Sequence, residues 1–180
     1  MPEDLPAGVR YYPDFMSEDE ACELGSQVRA LDFSTVEMRG QVARRRTAHF
    51  GWIYGYTSAH IEPGPPIPDA LLPVRTRAAI WAAVTPEALA EVLVTDYSPG
   101  AGIGWHRDAP QFGLVIGVSL GGACRLRFRR GTGASRRTAS LSLEPRSAYL
   151  LTGEARWQWQ HSIPPVKEPR YSITFRTMRT

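Results

Sequence analysis

Lysine is nearly missing from this 180-residue chain: Lys167 stands alone among 21 basic residues, the rest being arginine. Cysteine is scarce as well. Cys22 and Cys124 are far apart and belong to no metal-binding pair, which argues against a zinc site or a disulfide framework. Both are expected as small buried residues. No apolar run approaches the roughly 20 residues needed to cross a bilayer, so no membrane partner is expected. The opening Met1-Pro2-Glu3-Asp4 has neither the basic nor the apolar region of a signal peptide, and a cytoplasmic setting is the expectation.

What is present describes an ordinary globular domain. Hydrophobic residues make up 43% and charged residues 22%, which supports a packed core rather than disorder. The length suits a single domain over residues 1–180, expected as a monomer. Fifteen prolines and sixteen glycines imply many turns and favour a sheet-rich fold. The net charge is only +3, with a pI of about 9.1. The arginines are nevertheless clustered, in Arg44-Arg45-Arg46 and again in Arg125, Arg127, Arg129, Arg130, Arg136 and Arg137. Clustered cations favour a polyanionic partner.

Two helices are expected before a run of strands. Val9–Tyr12 reads as a short strand. Ser17 followed by Glu20 has capping-box spacing, and Ala21, Leu24, Val28 and Leu31 then recur on one helical face. Residues 41–56 are β-prone, aromatic and basic. The proline-rich segment 62–68 is expected to lack regular structure. Asp69 is expected to cap a second helix to about Ala83, with Leu72, Ala79 and Ile80 together on its surface. Strands are then expected at 91–97, 114–120, 125–129, around Leu141 and Leu143, and at 147–151, 157–161 and 171–178. In the Arg125–Arg129 strand, Leu126 and Phe128 alternate inward. Short strands at near-regular spacing predict a sandwich or barrel.

One tripeptide carries metal chemistry. His106 and Asp108 lie two residues apart in an extended segment, so both side chains can address one ion. Alone, such a pair is more often a solvated surface feature than a metal site. Of the other histidines, His49 reads as structural and His60 lies in the loop before the prolines. His161, beside Trp157 and Trp159, can supply a third ligand. Two histidines and a carboxylate on one octahedral face leave three open positions, the facial triad of non-haem iron(II) oxygenases.

A second constellation lies on the last strand. Tyr171, Ile173 and Phe175 share one face; Arg170, Ser172, Thr174 and Arg176 share the other. Either that face is wet, or its two arginines are paired, since burying them unpaired is costly. A dicarboxylate would pair them, because guanidinium grips carboxylate in a bidentate fork.

The stretch 96–108, Ser119-Leu120-Gly121, Gly153-Glu154-Ala155-Arg156, His161-Ser162-Ile163 and Arg170–Arg176 resembles the AlkB family in order and spacing, over roughly residues 91–178. Arg45 to Gly51 is similar to the segment that begins that family's nucleotide-recognition lid. The resemblance implies an α+β, mainly β fold: a double-stranded β-helix (jelly roll) with N-terminal helices and a lid region. Residues 1–90 would form the extension and lid, and 91–180 the catalytic core. It implies Fe(II) on His106, Asp108 and His161, with 2-oxoglutarate and O2 as co-substrates. Arg170 would take the distal carboxylate of 2-oxoglutarate, Arg176 its chelating end, and Tyr97 would add a hydroxyl. The implied reaction oxidises a substrate C–H while 2-oxoglutarate becomes succinate; an N-methyl group leaves as formaldehyde.

Three positions depart from the family pattern. Thr95 and Ser172 stand where asparagine is frequent, which shortens two polar contacts to the co-substrate. Pro110 stands where base-repair members carry an acidic residue. The expected substrate is an N-alkylated base in single-stranded DNA or RNA. For it the segment offers Phe50, Trp52, Tyr54 and Tyr56 as stacking surface beside Arg46. Trp52 reads equally as stacking platform or core, and Tyr56 as core. A protein side chain or small metabolite is the alternative substrate.

Overall fold

The computed structural model describes residues 4–55 and 58–179; the reading of Tyr56 as core lies outside them. Two antiparallel sheets face one another. The strands of the major sheet are β1 (Val9–Tyr12), β2 (Ser34–Met38), β3 (Gln41–Tyr54), β5 (Leu89–Tyr97), β7 (Phe112–Gly121), β10 (Ala148–Leu151) and β12 (Arg170–Met178). Their order is β1-β10-β7-β12-β5-β3-β2, with β4 (Ile61–Pro63) paired to the outer end of β3. The minor sheet contains β6 (Ile103–His106), β8 (Cys124–Arg130), β9 (Arg137–Leu143) and β11 (Gln160–Ile163), in the order β6-β11-β8-β9. This is the expected jelly roll. The first ninety residues contribute β1, β2 and β3 to the same sheet as the catalytic motifs.

Strand alternation divides the core in two. Val92, Val94, Ile116, Val118, Ile173 and Phe175 point from the major sheet toward helices α1 (Glu18–Arg29) and α2 (Leu72–Ala82). Residues of opposite parity, including Tyr97, Val115, Tyr149 and Leu151, meet Leu126, Phe128, Leu143 and Ile163 of the minor sheet. Each fully buried side chain of this kind contributes about 1.5–3 kcal/mol. The site occupies the space between the sheets.

Helix α1 forms as its sequence predicts. Glu20 N–H donates to Ser17 Oγ at 3.2 Å, and Ser17 N–H donates to Glu20 Oε2 at 2.8 Å. Arg77 of α2 also binds Glu20, and with the Ser17 amide it holds that carboxyl down at about 2. The folded value lies below the unfolded one. The contribution is therefore complete above pH 4.5 and lost as pH falls toward 2. The stability gap between wild type and Glu20→Gln, read by urea unfolding, is expected to close between pH 7 and pH 2. A gap independent of pH would show the pair to be inert.

Several expectations need correction. Asp69 does not cap α2: it opens a 3-10 turn, Asp69–Leu71, begun at Pro68, and no side chain caps the helix that follows. The buried face of α2 is Val74, Ala78 and Ala79, which lets it lie close to the sheet; Leu72 and Ile80 are exposed. The segment 62–68 is not wholly irregular, because Ile61–Pro63 pairs with Trp52–Tyr54. Pro63 is tolerated there at the end of an edge strand. Residues 157–161 are not one strand. Gly153, at φ 51°, opens helix α3 (Gly153–Trp157), whose Ala155 N–H bonds Ala7, and β11 begins only at Gln160. Cys22 is exposed, flanking the buried Leu24–Val28 stripe, and Cys124 is half-buried. No helix among the described residues is long and apolar enough to cross a membrane.

Candidate metal and co-substrate site

Register brings the three expected ligands together. His161 of β11 lies directly opposite His106 of β6, so both rings point into the space between the sheets, with centroids 4.3 Å apart. Asp108 follows β6 and sends Oδ1 between them, 3.5 Å from His106 Nε2 and 3.6 Å from His161 Nε2. All three ligand atoms lie within 4.8 Å of one another. Metal–ligand bonds near 2.1 Å place neighbouring octahedral ligands about 3 Å apart, so a small inward shift would close this set on an ion.

The protonation states suit a metal. His106 Nδ1 lies 2.8 Å from the Gly104 carbonyl. A carbonyl can only accept, so Nδ1 carries the proton and Nε2 offers its lone pair. Burial pulls His161 down to about 4 against the opposing pull of Asp108, leaving its imidazole neutral at pH 7. Burial pushes Asp108 up, but Arg176 and the two histidines outweigh it and hold the carboxyl well below its ordinary range. Arg176 Nε donates to Asp108 Oδ2 at 2.9 Å, which leaves Oδ1 to face the histidines.

The arginine face of β12 is turned away from solvent. Arg170, Ser172, Thr174 and Arg176 are all buried. Arg176 is already satisfied: its Nη1 donates to Glu91 at 2.7 Å while its Nε holds Asp108. Arg170 is not. Its Nε donates to Ser119 Oγ at 3.0 Å and its guanidinium lies 5.1 Å from the Tyr97 ring. Among the described residues its Nη1 is buried without a hydrogen-bond partner. Thr95 pairs with Ser172 and Tyr97 with Arg170 across β5 and β12, so these four share one face. A guanidinium that is 1% exposed with an orphaned N–H is what an anionic ligand would complete. The donor set therefore fits both an iron ion and an acidic co-substrate.

Three further residues carry roles that the sequence does not assign to them. Glu91, 2% exposed, balances Arg176; its one signal was an acid opening an apolar strand. Burial raises its carboxyl and Arg176 partly offsets this. Arg156 of α3 gathers the loop behind Asp108, donating to Gly113 at 2.7 Å, Phe112 at 2.6 Å and Ala109 at 2.8 Å. Tyr149 closes the floor, its ring filling the space where a Cβ on Gly117 would stand.

β3 turns away from β5 at Gly51, the last residue of the Arg45–Gly51 segment. Its φ of 76° and the Ala90 carbonyl, 2.0 Å from where a Cβ would sit, admit only glycine where β3 leaves β5. The β3–β4 hairpin then reaches the loop after Asp108, where Gln111 Nε2 donates to Ala59 at 3.4 Å. Trp52 is exposed, which removes its core reading, and Tyr54 is half-buried. Arg46 is held by Asp96, with Nε at 3.1 Å, and packs over Phe33. His49 is half-buried, its Nδ1 has no partner among the described residues, and burial lowers its pKa.

A jelly roll holding two histidines and a carboxylate on one side of an ion, beside a buried unpaired arginine, defines a non-haem iron oxygenase that binds an acidic co-substrate. Comparison with known proteins agrees. The model of the 2OG-Fe(II) oxygenase superfamily matches residues 8–176, and the chain belongs to that superfamily. Its cofactor set is Fe(II), 2-oxoglutarate and O2. Within it the chain is AlkB-like. It is 28% identical over 173 residues to the mouse (Mus musculus) tRNA (carboxymethyluridine(34)-5-O)-methyltransferase ALKBH8, covering 92% of this chain and 25% of that protein. It is 29% identical to the zebrafish (Danio rerio) probable RNA/DNA demethylase ALKBH6, covering 92% and 73%. The chain thus spans about a quarter of ALKBH8's length. A solved structure of OsALKBH1 superposes with a TM-score of 0.74 over 97% of this chain and 99% of that one, at 16% identity, and shares its fold.

Proposed function

We propose that this chain is a cytoplasmic, monomeric oxygenase that removes N-alkyl groups from bases in single-stranded DNA or RNA. The observation that carries the co-substrate assignment is the buried, partnerless Nη1 of Arg170 on the same strand face as Arg176, which grips Asp108. His106, Asp108 and His161 would hold Fe(II). Arg170 would bind the distal carboxylate of 2-oxoglutarate, with Tyr97, Thr95 and Ser172 lining that end. Arg176 would keep Asp108 ionised and add positive charge where the co-substrate meets the metal. Iron, when bound, supplies O2 activation coupled to decarboxylation of 2-oxoglutarate. The chain's own share is to orient both and exclude water, through the apolar packing of Tyr149, Val115 and Phe128.

Support for a nucleic-acid substrate comes from the names of the ALKBH8 and ALKBH6 relatives and from the lid. There Trp52 and Tyr54 offer ring surface, and Arg46 keeps a half-exposed guanidinium beyond its Asp96 contact. A flipped base needs a stacking partner and its phosphates need cations. One observation favours a protein or metabolite substrate: exposed Pro110, two residues after the metal-ligand aspartate, offers no side-chain hydrogen bond to a base.

Succinate release with iron, ascorbate and 2-oxoglutarate is expected, and His106→Ala or Asp108→Ala should reduce it to background. Formaldehyde and unmodified base should appear by mass spectrometry from oligonucleotides carrying 1-methyladenine or 3-methylcytosine. Succinate without any repaired base, across DNA and RNA, would transfer the assignment to the second substrate class. No succinate and no bound iron would end it.

A further inference from the structure

The outer face of the minor sheet carries a row of cations that the site chemistry does not use. β6, β8, β9 and β11 contain five arginines and no carboxylate. Leu126 and Phe128 of β8 fill the inner core, so Arg125, Arg127 and Arg129 face out. Their partners are neutral. Arg125 donates to Ser140 at 3.3 Å, Arg127 Nε to Ser162 at 3.2 Å, and Arg129 Nε to Gln160 at 2.8 Å. Trp105 of β6 holds the last two guanidiniums, 5.0 and 4.5 Å from its ring. Among the described residues none of the three pairs with a carboxylate.

This row adjoins the site. Gln160 and Ser162, which anchor Arg129 and Arg127, flank the ligand His161 on β11, and Trp105 precedes the ligand His106 on β6. β6 is one of the two edge strands of this sheet. Access to the ligands is also greatest there: the His106 side chain is 31% exposed, against 10% for His161 and 4% for Asp108. A polyanion lying across the arginines therefore runs to the edge where the site opens.

We infer that the Arg125–Arg127–Arg129 face, braced by Trp105, is a docking surface for the phosphate backbone of single-stranded nucleic acid. The inference rests on the proposed function and adds where the strand lies outside the pocket. Arg127 and Arg129 use Nε for their neutral partners, leaving the terminal Nη groups for phosphate oxygens, in the bidentate geometry that guanidinium favours. Holding both guanidiniums against one ring also lowers the ordering cost of binding. An anionic membrane fits less well, because none of the exposed large hydrophobic side chains among the described residues belongs to a strand of this sheet.

The test compares the 180-residue chain with the triple variant Arg125→Gln, Arg127→Gln, Arg129→Gln, and with Arg125→Glu at an exposed position. Affinity for a labelled, unmethylated single-stranded oligonucleotide is read by fluorescence anisotropy across a salt series. The triple variant should bind roughly tenfold or more weakly, with a log–log salt slope shallower by about 2, for three lost phosphate contacts. Arg125→Glu should weaken binding in the same direction, while succinate release without oligonucleotide stays at the wild-type rate in both variants. Unchanged affinity and slope would overturn the docking surface, as would stronger binding of wild type to phosphatidylserine vesicles than to oligonucleotide. Turnover separates the two proposals. Equal dealkylation of a long oligonucleotide by wild type and triple variant removes only the docking surface. Absence of dealkylation by wild type removes the proposed function, whatever the binding.

Discussion

Replacing Arg176 with leucine is expected to destabilise the protein by about 3–5 kcal/mol, the range for breaking a buried ion pair from one side. Arg176 is the cation between two buried carboxylates, at 2.7 Å from Glu91 and 2.9 Å from Asp108. Burial opposes its charge, but Asp108 and Glu91 outweigh that and shift its pKa upward. Without it, two carboxylates share a dry cavity and one must take a proton. The double variant Glu91→Leu/Arg176→Leu should recover part of the loss, because it removes the stranded Glu91 along with its partner. Lysine at position 176 should not rescue, since a single ammonium cannot span two carboxylates as the fork does. Guanidinium unfolding measures all four proteins. A cost below about 1 kcal/mol for Arg176→Leu, within the range of exposed ion pairs, would mean that the cluster is wet.

Arg170→Met is expected to act in the opposite way on the free protein. Among the described residues Arg170 is the largest fully buried side chain and has an N–H with no partner. An apolar replacement of similar length relieves that cost, so apo stability should hold or rise. Co-substrate binding should fall steeply. Truncating one member of a buried charge pair costs about 2–5 kcal/mol, or roughly thirty- to several-thousand-fold in affinity. Thermal unfolding with and without 2-oxoglutarate reads both effects at once, because a ligand that binds only the folded state raises Tm with concentration. Wild type should gain stability with the ligand, and Arg170→Met should show almost none of that gain. If Arg170→Met keeps the full ligand-induced rise, the assignment of Arg170 to the distal carboxylate fails.

These opposite expectations mark the limit of what could be read from residue order. The capping box at Ser17 and Glu20, the inward Leu126 and Phe128, and the shared face of Arg170 and Arg176 were legible, because each follows from a local period of two or 3.6 residues. The His106 and Asp108 pair was legible for the same reason. His161 was placed by motif order, and β11 puts it opposite His106. The second helix was misread at its start because proline geometry at residue 68 outweighed the capping tendency of Asp69. Trp157 was misread as strand because a glycine with positive φ and a bond to Ala7 favoured a short helix.

By itself, the sequence determined which side chains share a face and which residue types could hold iron and an acid, since period and donor chemistry are properties of the chain alone. The tertiary structure settles which arginine is satisfied by carboxylates and which keeps one N–H without a partner among the described residues. That choice depends on the register of β12 against β5 and β7, which sets Arg176 opposite Glu91 and beside Asp108 while Arg170 meets Tyr97 and Ser119. Such partners lie 51 to 85 residues apart in the chain. No local period reports on them; they are fixed when burial of both faces of the sheet permits a single register.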